Sequence, residues 1–238
     1  MRKVFNITCW FVGLCVLIFL IRYPIETFDS WKTWSLPLAG KVIVIDPGHG
    51  GVDGGAVGQD ETLEKDIALS VSKQLRDYLQ QGGALVYMTR ETDKDLADED
   101  LKGYSKRKSQ DIRRRLEFIN GKDAEFFVSV HLNAIPSTQW HGAQTFYNAA
   151  SPESENLAKF IQTEIMRNLE NTKRSALAIS NVYLVKQADI PGALVEIGFL
   201  SNEHERELLK TEAYQKKVAA SIYEGMLRYV TEKEVSEE

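Results

Sequence analysis

Four side chains in this sequence stand where their neighbours give them unusual surroundings: His49, Glu64, His131 and Glu196. His49 lies in DPGHGGVDGGAVG, residues 46–58, a loop holding six of the chain's 16 glycines. Glycine there permits positive φ and lets backbone approach something bound. Glu64 aligns with Ala68, Val71 and Leu75 of a predicted helix, at the amino-terminal end of its buried stripe. A first-turn acid does gain from the helix dipole, but that gain needs no burial, and Glu61 could supply it from an exposed position. His131 ends the apolar run FFVSV, and Glu196 interrupts the run from Ala193 to Ile197. An unpaired carboxylate in such surroundings costs on the order of several kcal/mol, so a cation or a proton should accompany it.

Two imidazoles and one carboxylate with a fourth position open is a hydrolytic zinc arrangement, and a second carboxylate beside the water is the usual general base. Other chemistries lack their residues. The glycine loop has no Lys-Ser/Thr pair to make it a phosphate cradle, and no nucleophile elbow supports a Ser-His-Asp triad. Both cysteines, Cys9 and Cys15, precede residue 22, so the rest of the chain has no thiolate nucleophile, Cys-held zinc or disulfide. His141, in a Trp-His-Gly loop, is placed to approach a substrate, whereas His204, in the charged run NEHE, reads as solvated. Against 34 acidic residues stand 29 Lys and Arg, a net charge of −5 that provides no basic field for nucleic acid.

The elements that must position these groups are legible as alternating runs. Val42–Ile45 reads as a buried strand entering the Asp46-Pro47-Gly48 loop, and Leu63, Ile67, Val71, Leu75 and Leu79 mark a helix stopped by Gly82-Gly83. Further strands are predicted at residues 84–89, 126–130, 182–185 and 193–197. Further helices are predicted at 111–120, from Ser151-Pro152 to about 170, at 203–210 and at 212–230, with 91–108 mostly loop. The alternation predicts one α/β domain over residues 41–230, with a largely parallel, mixed central sheet flanked by helices on both faces. In such a sheet the carboxyl ends of the strands share one edge, and His49, His131 and Glu196 fall at or near such ends.

Ahead of this domain, Val4–Ile21 is an 18-residue run without a charge, preceded by Arg2 and Lys3. As a helix it would reach roughly 27 Å, close to the hydrocarbon thickness of a bilayer. The following Arg-Tyr-Pro-Ile-Glu offers no small-residue cleavage site, so residues 1–22 read as an uncleaved transmembrane anchor and 23–40 as a juxtamembrane linker. Residues 231–238, with four Glu and one Lys, read as an acidic tail.

Five strings in order, IVIDPGHGGVDGGAVG, LEKDIALSV, VYMTRETD, FFVSVHLNA and LVEIGFLSN, resemble the successive motifs of the zinc-dependent N-acetylmuramoyl-L-alanine amidases of the amidase-3 family. The resemblance implies zinc held by His49, Glu64 and His131, with Glu196 catalytic. It implies hydrolysis of the amide between the lactyl group of N-acetylmuramic acid and L-alanine in peptidoglycan. Gly54 departs from the proline of many relatives, a loop detail that leaves the ligand positions intact. The short anchor, with no wall-binding module, further resembles family members from endospore-forming bacteria. That likeness implies a role in spore-cortex maturation and germination, with a muramic acid deacetylase completing δ-lactam formation, and leaves room for an activator protein. The peptidoglycan substrate in turn implies a cell-membrane protein with its catalytic domain on the extracytoplasmic side.

Overall fold

The structure is a computed structural model that describes residues 2–22 and 36–237. It divides into two compact units, residues 1–35 and 36–238. In the first, α1 (Arg2–Arg22) is a 21-residue helix, and its apolar side chains Phe5, Trp10, Phe11 and Leu17 are exposed. Among the described residues no helix is long and apolar enough to cross a membrane. The side chains of Val4, Ile7, Cys9, Leu20 and Ile21 lie outside that description, so the expected span is covered only in part. Most of the expected linker, residues 23–35, also lies outside the described residues.

The second unit is built on six strands: β1 (Val42–Pro47), β2 (Leu85–Met88), β3 (Phe126–Asn133), β4 (Gln144–Tyr147), β5 (Leu177–Ala178) and β6 (Gly192–Phe199). Their order across the sheet is β2-β1-β3-β6-β4-β5. Strands β2, β1, β3 and β6 run parallel, while β4 is antiparallel to β6 and makes the sheet mixed. Because successive side chains point to opposite faces, Ile43, Ile45, Val128, Val130, Val195 and Ile197 join the larger core with α2 (Glu64–Gln81), α4 (Pro152–Leu169) and α7 (Glu212–Glu237). Val44 and Phe127 face the other way, into a smaller cluster with Ile119 of α3 (Tyr104–Asn120) and Leu184 of α5 (Tyr183–Gln187). Helices therefore cover both faces, as the pattern of apolar runs predicts.

Local signals account for several boundaries. Ser151 caps α4 by accepting the Ser154 N–H at 3.1 Å, with Pro152 as the first helical residue. Asn202 caps α6 (Glu203–Leu209) by accepting the Glu205 N–H at 3.0 Å. Four expectations are corrected. The strand expected at 182–185 is instead α5; a short apolar run fits either element, and here Leu184 and Val185 turn into the core. Helix α3 begins at Tyr104 rather than Asp111. Its first turns show no apolar stripe, and polar contacts hold them instead: Arg107 to Asp95 at 2.6 Å and Gln110 Nε2 to Asp98 Oδ2 at 2.8 Å. The folded unit begins near residue 36 rather than 41, since Leu38 is fully buried in the larger core and donates its N–H to the Gly82 carbonyl at 2.8 Å. The acidic stretch from residue 231 continues α7 to Glu237. Strands β4 and β5, four and two residues long, have no sequence run long enough to announce them.

Beneath the carboxyl end of β1 lies a buried ionic network on the α3 side of the sheet. Asp46, 1% exposed, accepts from Thr89 Oγ1 at 2.6 Å, Ser129 Oγ at 2.7 Å and Arg115 Nη1 at 2.7 Å. Burial alone would raise the Asp46 pKa. The Arg115 guanidinium and the two hydroxyls outweigh burial and hold it at about 2, below its ordinary 3.8.

Two predictions follow from this packing. Leu38→Ala should lower the unfolding free energy by about 2–5 kcal/mol in chemical denaturation, because it opens a cavity in the larger core; a loss under about 0.5 kcal/mol would place Leu38 outside it. For Asp46 the folded pKa lies below the unfolded one, so its stabilisation is present above pH 3.8 and is lost as pH falls through about 2. The stability gap between the wild type and Asp46→Asn should narrow by about 2 kcal/mol across that window, and a gap independent of pH would remove the ion pair from the account.

Candidate active site

The site forms where β1, β3 and β6 end and α2 begins. Past Pro47 the chain turns sharply, and His49 takes φ 61°, a left-handed conformation unfavourable for a residue with a Cβ. It is held from both sides: Arg115 Nη2 donates to the His49 carbonyl, and Asp53 Oδ2 lies 2.8 Å from His49 Nδ1. Arg90, 1% exposed, secures the same turn by donating to the carbonyls of Pro47 and Gly48 at 3.1 and 2.8 Å.

Glu64 opens α2 and is only 2% exposed. One carboxylate oxygen, Oε1, accepts the Leu132 N–H at 2.9 Å and lies 2.9 Å from His131 Nδ1. The other, Oε2, accepts the Ala56 N–H at 2.6 Å and lies 3.1 Å from His49 Nε2. Burial would raise the Glu64 pKa, but the hydrogen bonds and charge of His131 and His49 hold it well below the usual carboxylate range. The reciprocal effect appears at His49. Burial would lower its pKa, yet carboxylates at both ring nitrogens, Asp53 and Glu64, push it up to about 9.

Two glycines of the loop are dictated by contact with these groups. A Cβ on Gly48 would stand 2.4 Å from the His131 ring, and one on Gly55 would stand 2.4 Å from Glu64 Oε2 and 2.6 Å from the His49 ring. Both positions must lack a side chain for the cluster to close.

Glu196 is brought in by strand register. On the parallel pair β3/β6 it stands opposite His131, and by alternation both side chains project to the α3 side of the sheet. Its Oε2 is buried without a hydrogen-bond partner among the described residues. Burial pushes the Glu196 pKa up to about 7, with His131 pulling it down and Glu64 pushing it further up.

One ligand atom each from His49, Glu64 and His131 lie within 4.8 Å of one another, the grouping among the described residues able to hold a metal ion. Chemically the set fits a zinc-type cation: two imidazoles, one carboxylate, and a carboxylate on the far ring nitrogen of His49 that fixes its orientation. The unpartnered Glu196 Oε2 beside them is what a group awaiting a water proton should look like. The structure thus gathers all four residues singled out from the sequence. His204 is exposed, as expected. His141 is exposed too, with Nδ1 3.2 Å from the Gln139 carbonyl, and it lines a different cavity with Arg174, away from the donor cluster.

Sequence reasoning missed the supporting groups. Asp53 accepts from Tyr104 Oη at 2.9 Å and pairs with Lys108 at 2.9 Å as well as orienting His49. Its position four residues after His49 within the glycine loop was a usable signal. Arg90 and Arg115 gave none, since an arginine in a charged helix or after a strand reads as surface until its burial is known.

Comparison with known proteins agrees with this geometry. The family described as N-acetylmuramoyl-L-alanine amidase matches residues 43–228. The germination-specific N-acetylmuramoyl-L-alanine amidase of Bacillus subtilis (strain 168) is 55% identical over 233 residues, covering 98% of either chain. The N-acetylmuramoyl-L-alanine amidase LytC of the same organism is 31% identical over 195 residues, 81% of this chain and 36% of its own length. Among solved structures, the CwlD amidase from Clostridioides difficile in complex with the GerS lipoprotein superposes with a TM-score of 0.79 at 41% identity, covering 80% of this chain and 98% of that one. Motif order, fold and the gathered His-Glu-His-Glu cluster converge, and the chain belongs to the N-acetylmuramoyl-L-alanine amidase family.

Proposed function

We propose that His49, Glu64 and His131 hold a zinc ion and that Glu196 is the general base in cleavage of the amide between the lactyl group of N-acetylmuramic acid and L-alanine. The observation carrying this reading is the convergence of three ligand atoms within 4.8 Å beside a buried, unpaired Glu196 oxygen. Zinc bound there supplies Lewis-acid polarisation of a carbonyl and acidifies water. The protein's own groups do the rest. Asp53 takes the Nδ1 side of His49, leaving Nε2 for the metal side. Glu196, desolvated and therefore more basic than a solvated carboxylate, accepts the proton of the attacking water. It then delivers that proton to the alanine nitrogen, which cannot leave as an anion. A glycosidase would instead need two carboxylates flanking an acetal carbon, with no carbonyl to polarise.

The biological setting is part of the same reading. The 55% identical relative is named germination-specific, which supports a role in spore-cortex maturation and germination. There, removal of the stem peptide exposes a lactyl carboxyl for a deacetylase-dependent δ-lactam. The CwlD structure was solved with a lipoprotein, which supports a lipoprotein partner or activator for this chain. Helix α1, 21 residues with exposed apolar side chains, supports a single-pass membrane anchor that leaves the catalytic domain on the extracytoplasmic side.

Digestion of peptidoglycan with zinc should release peptides carrying a free L-alanine amino group and leave glycan strands at full length, and a chelator should stop it. Glu196→Gln should keep one zinc per chain while kcat falls by about 10²–10⁴. Shortened glycans would reject the reaction; zinc lost from Glu196→Gln but kept by Glu64→Gln would exchange the two roles. For the anchor, the full chain should sediment with membranes at its unprocessed mass, and removal of residues 1–35 should release it. A soluble full chain would refute the anchor.

A further inference from the structure

The three residues of the donor cluster are supported by different parts of the fold. Glu64 is satisfied by the Ala56 and Leu132 amides and by the two imidazoles, and Glu64 in turn holds His131. His49 is the one whose hydrogen-bonded support, among the described residues, comes from α3. Arg115 reaches its carbonyl, and Asp53, on its Nδ1 side, is itself held by Tyr104 and Lys108.

Asp53 is 4% exposed. Its Oδ1 accepts the Gly55 N–H at 3.1 Å and the Tyr104 hydroxyl at 2.9 Å. Its Oδ2 lies 2.8 Å from His49 Nδ1 and 2.9 Å from Lys108 Nζ. The contacts on Oδ1 fix the rotation of the carboxylate, and that rotation decides whether Oδ2 faces the imidazole. Tyr104 is the first residue of α3 and is 53% exposed, yet its hydroxyl turns onto this buried carboxylate. Core packing does not explain it, because the buried residues of α3 are Asp111, Arg115 and Ile119, all further along the helix. Lys108, one turn on, stands 5.8 Å from the centre of the Tyr104 ring and braces it. The helix thus extends beyond its packed portion, and the extension carries two side-chain donors to Asp53.

We infer that Tyr104 is a positioning residue of the metal centre: through Asp53 it fixes the ring of His49, so that the first turn of α3 sets the affinity of the site for its cation. The inference rests on the zinc reading above and extends it to a residue that hydrogen-bonds none of the three ligands. A carboxylate behind a ligand imidazole fixes both the ring plane and the nitrogen that keeps the proton. It does so only while its own orientation is fixed; a carboxylate left free to rotate transfers the cost of ordering to the binding step. Lys108 is a less clean probe than Tyr104. Its removal would take away a contact to Asp53 and also a positive charge that repels a cation, two effects of opposite sign. The Tyr104 hydroxyl is neutral, so its removal changes orientation without changing charge.

The test measures zinc affinity of the full chain in detergent by competition with a chromophoric chelator, which requires no turnover. Tyr104→Phe keeps the ring, removes the hydroxyl and should weaken zinc binding by about 3–10-fold, against about 10–100-fold for Asp53→Ala. Because Tyr104 acts through Asp53, Tyr104→Phe added to Asp53→Ala should weaken binding by less than about twofold further. Chemical denaturation of the metal-free proteins is the control, and a role confined to anchoring α3 would lower the midpoint of Tyr104→Phe with zinc affinity unchanged. That result would overturn the positioning role whether or not Asp53→Ala folds. Additive losses in the double variant would overturn the route through Asp53. A wild type without zinc affinity would reject the zinc reading and this proposal with it, whereas zinc bound equally well by wild type and Tyr104→Phe would reject this proposal alone.

Discussion

Glu64 has been taken out of water at the first residue of α2, and its carboxylate oxygens are satisfied by groups from two other segments. The Ala56 amide comes from the glycine loop, the Leu132 amide from β3, and the imidazoles of His49 and His131 flank it. A buried carboxylate left without such partners would cost on the order of several kcal/mol, so each of these segments must arrive at its place for the others to be tolerable. The glycine loop can close only because Gly48 and Gly55 offer no Cβ to the rings and carboxylate they touch. The convergence of His49, Glu64 and His131 is thus a by-product of satisfying one desolvated acid.

That arrangement would be soft if the loop carrying His49 were free to move. It is pinned from beneath by two buried guanidiniums. Arg115 spans Asp46, Asp111 and the carbonyls of Pro47 and His49, while Arg90 bonds Pro47, Gly48 and the Lys65 carbonyl of α2. Removing one member of such a network leaves an uncompensated buried charge, which costs more than the intact pair contributes. The left-handed φ of His49 persists because these contacts over-determine it.

Strand parity then decides which face of the sheet the site occupies. Asp46, Ser129, His131 and Glu196 project to the sheet face that α3 and α5 cover, the less deeply covered of the two. The opposite face, with α2, α4 and α7, carries most of the apolar core. The larger core and the His131–Glu196 pair therefore lie on opposite sides of one sheet, with Glu64 reaching the pair from the start of α2. A cavity of about 500 Å³ opens on the side with the smaller core.

The sequence by itself determined a good deal. The apolar runs around His131 and Glu196, the glycine-rich loop at His49 and the buried stripe that starts at Glu64 were local features. Local features survive in a one-dimensional reading because burial and periodicity are written into neighbouring residues. The same reasoning located β1, α2, β3, α4 and β6, whose runs are long or capped. Tertiary structure decided what depends on distant partners. Residues 182–185 became a helix turned into the core instead of a strand. The charged residues 104–110 became helical with contacts to aspartates nine to twelve positions away. Residues 36–40 joined the domain through Leu38, and β4 paired antiparallel with β6 despite its brevity. Asp53, Arg90 and Arg115 acquired their supporting parts only when folding removed water from them, since a charged side chain carries no mark in the sequence of whether its counter-charge will be solvent or protein.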